Sequence, residues 1–190
     1  IYFLNEKSDA TWVEDHFDFC GYVLANAPAE REAARTELGW GPDQRVCLVT
    51  VGGSGVGGGL LQRVIDAYPE ARAKVPELRM VVVCGPRIDP ASIPAPEGVE
   101  LVGYVHELSR QLAACDVAVT QGGLTTCMEL AAAKTPFLYA PLRRHFEQNL
   151  HVRHRLERYG AGRAIDLASD DIAAGIVAAL RDDPRPDDVE

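Results

Sequence analysis

Short apolar runs alternate with amphipathic stretches along most of the chain after residue 45. Runs such as CLVTV at 47–51 and MVVVC at 80–84 are apolar at nearly every position. Between them lie stretches such as LLQRVIDAYPEARAKV at 60–75, whose apolar residues recur at helical spacing. Strands that are covered by helices on both faces of a parallel sheet show this pattern. We therefore predict an α/β fold with a doubly wound parallel sheet.

The chain divides into three parts on the same criteria. Residues 45–181 carry the alternating pattern and form the predicted domain. Residues 1–44 are less regular, and we predict a lead-in segment with one helix in AEREAARTEL at 29–38. The last residues, 182–190, are rich in proline and aspartate, so we predict a disordered tail.

Composition excludes several classes of function. The 190 residues fit one domain. A formal charge of −9, from 28 acidic and 19 basic residues, argues against nucleic-acid binding. No apolar stretch approaches the ~18 residues of a transmembrane segment. The five cysteines form no C-x-x-C pair, which favours a reduced, cytoplasmic location.

A glycine-rich loop, GGSGVGGG at 52–59, follows the first predicted strand. Gly53, Gly55 and Gly58 match G-x-G-x-x-G, a pattern that holds a dinucleotide pyrophosphate. That interpretation lacks its acidic partner, because the second strand is followed by Gly85-Pro86-Arg87. A flexible connection without a ligand is another alternative, although each glycine costs backbone entropy on ordering.

A second candidate loop, QGGLTTCMEL, follows the predicted strand DVAVT. Gly122 and Gly123 allow a close approach to a ligand, and Thr125 and Thr126 at the start of a helix suit phosphate oxygens. Glu129, one turn further on, is placed to accept bonds from ribose hydroxyls. The alternative is a capping box of Thr126 and Glu129.

A third polar loop, RRHFEQN, follows the strand PFLYA. Ligands of open α/β sheets bind beyond the carboxyl ends of the strands. Because all three loops occupy that position in the predicted fold, we expect them to converge on one ligand.

The order of these segments resembles the C-terminal, donor-binding half of GT-B glycosyltransferases, a Rossmann-like fold. The resemblance covers residues 46–165 and is strongest to the bacterial peptidoglycan N-acetylglucosaminyltransferases and the related UDP-glycosyltransferases. The segments that carry it are GGSG, GYVHEL, CDVAVTQGG, GGLTTCMEL, PFLYAP, EQN and ERYGAG. It implies transfer of a hexose from a nucleotide diphosphate sugar, with UDP expected and dTDP or GDP as alternatives.

The resemblance also implies a role for each candidate residue. The diphosphate is held by the two glycine-containing loops, the ribose by a helix glutamate, the donor sugar by an acidic-Gln pair and the base by the loop after the third strand. In that order the residues are Gly53, Ser54, Gly55, Gly122, Gly123, Thr125 and Thr126; Glu129; Glu147 and Gln148; and Tyr104, Val105 and His106.

Two departures from the family pattern affect the donor. Gln121 stands where many relatives carry a basic residue, so Arg143 or Arg144 is a candidate to neutralise the diphosphate. The linker CGYVLANAP offers no arginine, although relatives often carry one there.

The resemblance places the acceptor-binding, N-terminal half before Ile1, together with the catalytic base. We therefore expect no catalytic residue in this chain, no cofactor and, without a D-x-D motif, no metal. We assign no chemistry to His106 or His145, and we interpret Cys127 as a core residue. The acceptor, a small molecule or a lipid-linked glycan, is not identified. A nucleotide-sugar hydrolase or epimerase half-domain and a non-catalytic nucleotide-sugar-binding module are the alternatives.

Overall fold

A six-stranded, fully parallel sheet forms the centre of the protein. The computed structural model describes residues 12, 15–18, 21–53 and 55–181. The spatial order is β3-β2-β1-β4-β5-β6, so the order reverses between β1 and β4. The predicted doubly wound, Rossmann-like fold is confirmed. The strands are β1 Arg45–Thr50, β2 Leu78–Val83, β3 Val99–Val102, β4 Val117–Thr120, β5 Phe137–Tyr139 and β6 Arg163–Ala164.

Helices cover both faces of this sheet. They are α1 Arg31–Glu37, α2 Gly58–Lys74, α3 Leu108–Ala114, α4 Leu124–Ala132, α5 Arg153–Tyr159 and α6 Ile172–Arg181, with a 3₁₀ turn at Pro90–Ser92 and a π-helical segment at Glu147–Val152. On β1, Cys47 and Val49 pack towards α2 and α6, whereas Val46 and Leu48 pack towards the other helices. Burial on both faces explains why the strand sequences do not alternate with polar residues.

A buried ion cluster joins the lead-in helix α1 to the amino end of the sheet. Asp116, only 6% exposed, accepts hydrogen bonds from Arg31 at 2.7 Å, Arg35 at 3.0 Å and the backbone N–H of Val46 at 2.7 Å. Glu30 caps α1 by accepting from two backbone N–H groups. The helix predicted within 29–38 is therefore confirmed. Residues 182–190 of the predicted tail lie outside the described residues.

Five strands end on one line at the carboxyl edge of the sheet. Thr50 of β1 is in register with Val83 of β2 and with Thr120 of β4. Val83 pairs in turn with Val102 of β3, and Thr120 with Tyr139 of β5. The loops that carry the candidate residues therefore leave the sheet side by side, because neighbouring strands lie only ~4.8 Å apart.

Candidate functional site

The loop after β1 depends on glycine for both its conformation and its packing. Gly52 and Gly55 have φ angles of 72° and 77°, in the left-handed region that favours glycine. A Cβ on Gly57 would lie 2.2 Å from the Cβ of Val51. A Cβ on Gly85, after β2, would lie 2.7 Å from the carbonyl oxygen of Gly52. The backbone of the predicted ligand loop therefore packs directly against the core residue Val51 and against the backbone of the loop after β2.

This loop delivers the chain into the amino end of the 17-residue helix α2. The N-cap is Gly57, and α2 begins at Gly58 and Gly59, around which a Cβ would meet nothing within 4 Å. The first N–H groups of a helix have no intrahelical partner and attract anions. The sequence analysis named Gly53, Ser54 and Gly55 as diphosphate contacts, and it named Gly58 only within the G-x-G-x-x-G pattern. Ser54 lies outside the described residues.

The loop after β4 forms a second helix start beside the first. Gly122 has a φ angle of 85°, and a Cβ on it would lie 3.4 Å from the ring of Tyr139. Gly123 is the N-cap of α4, and Thr125 and Thr126 are the second and third residues of the helix. The capping-box alternative for Thr126 and Glu129 is therefore wrong, because α4 begins before Thr126.

Glu129 lies in the second turn of α4 and is half-buried. Burial raises the pKa of its carboxyl group above the ordinary value. Its neighbour Cys127 is fully buried, and burial raises the pKa of that thiol to about 12. A thiol with this pKa is neutral near pH 7, which supports the core interpretation of Cys127.

The loop after β5 holds the predicted acidic-Gln pair, but the two side chains differ. Glu147 is exposed, whereas Gln148 is 8% exposed and its Oε1 accepts a hydrogen bond from the backbone N–H of Leu142 at 2.9 Å. Asn149, which we did not predict, donates through Nδ2 to the carbonyl oxygens of Leu142 and His145. Gln148 and Asn149 thus stabilise the loop that presents Glu147.

The loop after β3 carries the predicted base-binding residues. Tyr104 is 67% exposed and His106 is exposed, whereas Val105 packs against the core. This loop lies two strands from β1. The separation is ~10 Å at ordinary strand spacing, so this loop leaves the sheet further from the β1 loop than the β4 loop does.

Arg87, in the loop after β2, is a cation that sequence reasoning missed. Its Cβ and Cδ lie 3.3 and 3.8 Å from the position that a Cβ on Gly55 would take. The side chain is exposed and lies beside Gly55. Arg143 and Arg144, our predicted cations, are exposed in the turn after β5. The position of Arg87 beside Gly55 follows from the contact between the loops after β1 and β2, which the sequence does not show.

Comparison with known proteins identifies the family. Residues 46–186 match the model of the glycosyltransferase family 28 C-terminal domain. The chain belongs to this family. An uncharacterized glycosyltransferase of Methanopyrus kandleri is 29% identical over 183 residues, which are 93% of this chain and 51% of that protein. The UDP-N-acetylglucosamine--N-acetylmuramyl-(pentapeptide) pyrophosphoryl-undecaprenol N-acetylglucosamine transferase of Carboxydothermus hydrogenoformans is 31% identical over 168 residues, or 83% of this chain and 44% of that enzyme.

Solved glycosyltransferases share the fold of this family 28 domain. Spinosyn rhamnosyltransferase SpnG complexed with thymidine diphosphate superposes with a TM-score of 0.57 at 18% identity, over 86% of this chain and 43% of SpnG. The family 28 domain spans about half the length of the curated relatives that it matches. Its described residues contain no helix that is long and apolar enough to cross a membrane.

Proposed function

We propose that this family 28 domain binds the nucleotide diphosphate sugar donor of a glycosyltransferase that transfers a hexose. The observation that carries the proposal is the pair of adjacent helix starts after β1 and β4, each preceded by a glycine turn. Two positive helix ends that follow neighbouring strands suit a diphosphate. In this proposal the same groups stabilise the negative charge that grows on the leaving diphosphate during transfer.

We propose UDP as the nucleotide of the donor, because the names of several relatives contain UDP-N-acetylglucosamine. In this proposal Tyr104 and His106 contact the base, Glu129 the ribose, and Glu147 and Gln148 the sugar. Residues Gly53, Ser54, Gly55, Gly122, Gly123, Thr125 and Thr126 surround the diphosphate, together with the N–H groups of Gly58 and Gly59.

An N-terminal, acceptor-binding domain of the same polypeptide is the proposed partner. Exposed apolar side chains surround the carboxyl edge: Val56 is 61%, Tyr104 67% and Phe146 64% exposed. A second domain across this edge would cover them and supply the catalytic base. The acceptor would bind between the two domains.

Calorimetric titration with UDP, dTDP, GDP, NAD and UDP-N-acetylglucosamine tests the proposed function. We expect the uridine compounds to bind with the highest affinity and NAD to show no binding. Tighter binding of NAD than of UDP would contradict the proposal. Tighter binding of dTDP or GDP would overturn the base assignment alone.

Glu129→Gln is expected to weaken UDP binding by about 2 kcal/mol, roughly 30-fold, because a charged acceptor for the ribose hydroxyls is lost. Calorimetry measures the change. Glu70→Gln near the end of α2 is the control, since this exposed side chain lies ~18 Å along the helix from its start at the carboxyl edge and should leave affinity unchanged. Equal affinity in Glu129→Gln would remove the ribose role.

The same variant is expected to be more stable than the parent at pH 7. The pKa of Glu129 is raised in the folded domain, so the folded state binds protons more tightly than the unfolded state there. Stability from this group is therefore fully present at low pH and is lost as the pH rises through the folded pKa. Glu129→Gln should raise the Tm at pH 7 and lose this advantage below about pH 3, where the carboxyl is protonated in both states. A lower Tm at pH 7 would contradict the expectation.

Arg87→Gln is expected to weaken UDP and UDP-N-acetylglucosamine equally, by about 1.5 kcal/mol, because it removes a cation beside the diphosphate. Titrations at low and high salt should also show a smaller salt dependence than in the parent. Arg144→Gln is the matched comparison. A loss of UDP affinity in Arg144→Gln but not in Arg87→Gln would show that Arg144, in the loop after β5, neutralises the diphosphate instead.

Glu147→Gln is expected to weaken UDP-N-acetylglucosamine by about 1 kcal/mol and to leave UDP unchanged, since only the sugar reaches this side chain. The variant should keep the parent's stability within about 0.5 kcal/mol because Glu147 is exposed. Gln148→Ala is different: it also leaves the N–H of Leu142 without its acceptor, so stability and both affinities should fall, and the affinity for UDP-N-acetylglucosamine should fall more than that for UDP. An equal loss for both ligands in Glu147→Gln would end its sugar assignment.

A further inference from the structure

A cavity of about 540 Å³ lies at the amino end of β5 and β6, at the opposite end of these strands from the candidate donor site. The end of α4, the residues before β5, the turn before β6 and the end of α6 enclose it. Small-ligand sites commonly occupy ~300–1,000 Å³. The cavity therefore has the size of a second binding site.

Most of the cavity wall is apolar. Side chains from the lead-in segment, both flanking helices and β5 contribute, among them Leu24, Met128, Phe137, Leu138, Tyr159 and Ala179. A ligand rich in hydroxyl groups would lose its hydrogen bonds to water on such a surface, at a cost. The wall therefore favours a hydrocarbon chain over a sugar or a nucleotide.

A cation borders this apolar wall. Arg163, the first residue of β6, lines the cavity, and its Nη2 lies 3.0 Å from the position that a Cβ on Gly175 of α6 would take. No carboxylate within residues 21–53 and 55–181 forms an ion pair with Arg163. Its charge is thus available to a ligand that reaches this wall.

We propose that this cavity binds an amphipathic monoanion, an aliphatic chain that ends in a carboxylate. The chain packs against the apolar wall, and the carboxylate lies at Arg163. A charge-assisted bond to a guanidinium is the strongest contact available to such a head group. The site is separate from the donor crevice, and the inference does not depend on which nucleotide binds there.

Calorimetric titration of the 190-residue chain with sodium laurate, below its micelle-forming concentration, tests the proposal. We expect saturable binding of laurate, about tenfold weaker binding of the uncharged decyl glucoside, and no binding of butyrate. Saturating UDP should leave laurate affinity unchanged. Failure of laurate to bind, equal affinity for decyl glucoside, or displacement of laurate by UDP would overturn the proposal.

Variants locate the binding in the cavity. Ala179→Phe fills it from α6 and is expected to abolish laurate binding, whereas Ala174→Phe, exposed on the same helix, should bind as the parent does. Arg163→Gln should weaken laurate about tenfold, and Arg155→Gln on α5 should not. Unchanged laurate affinity in either Ala179→Phe or Arg163→Gln would overturn the assignment.

Discussion

Replacing Asp116 by asparagine is expected to lower the free energy of unfolding by about 3–5 kcal/mol. Asp116 is the carboxylate that Arg31 and Arg35 share, and Arg35 is itself only 4% exposed. Asparagine keeps the shape but removes the charge, so a buried guanidinium loses its counter-ion. Because small domains are stable by only about 5–15 kcal/mol, this loss is a large fraction of the total. Urea unfolding monitored by circular dichroism measures it.

Glu37→Gln is the matched control for Asp116→Asn. It breaks the exposed ion pair between Glu37 of α1 and Arg110 of α3, and it should cost less than about 1 kcal/mol. UDP affinity below the melting temperature should be unchanged in both variants, since Asp116 precedes β4 at the amino edge of the sheet. A cost below 1 kcal/mol for Asp116→Asn would show that the cluster contributes little net stability.

The strands could be predicted because they consist of consecutive apolar residues that are buried on both faces of the sheet. Val46, Cys47, Leu48 and Val49 fill two separate cores from one strand, and only a sheet that is covered on both faces requires that composition. The loops that follow such strands could therefore be placed at the carboxyl edge of the sheet from the sequence alone. The registers of Thr50, Thr120 and Tyr139 confirm that placement.

Helix starts and long-range contacts were harder to predict. Gly123 caps α4 without a side chain, so no serine, threonine or aspartate marked the boundary, and Thr126 was mistaken for an alternative cap. Arg87 reaches Gly55 only because β1 and β2 are neighbours in space. The bond from Leu142 to Gln148 spans six residues in an irregular loop, a distance that matches neither helical nor strand periodicity. These features depend on contacts between segments.

Gly57→Ala is expected to destabilise the domain by about 3 kcal/mol and to weaken UDP binding more than 100-fold. The new Cβ would lie 2.2 Å from the Cβ of Val51, a buried residue directly after β1, so the loop or the strand end must move. Movement of the loop is expected to turn the N–H groups at the start of α2 away from the proposed diphosphate. Denaturant unfolding and calorimetry measure the two effects separately.

Gly58→Ala, one residue later, separates steric overlap from the general effect of adding a methyl group. A Cβ there meets nothing within 4 Å, and alanine stabilises a helix by about 0.5–1 kcal/mol over glycine, so the fold should become more stable. If the diphosphate lies against this helix start, the methyl group should still weaken UDP binding. Parent-like UDP affinity in both Gly57→Ala and Gly58→Ala would show that the donor does not bind at α2. Gly57→Ala therefore tests the packing of the loop against Val51, and Gly58→Ala tests whether the diphosphate contacts the start of α2.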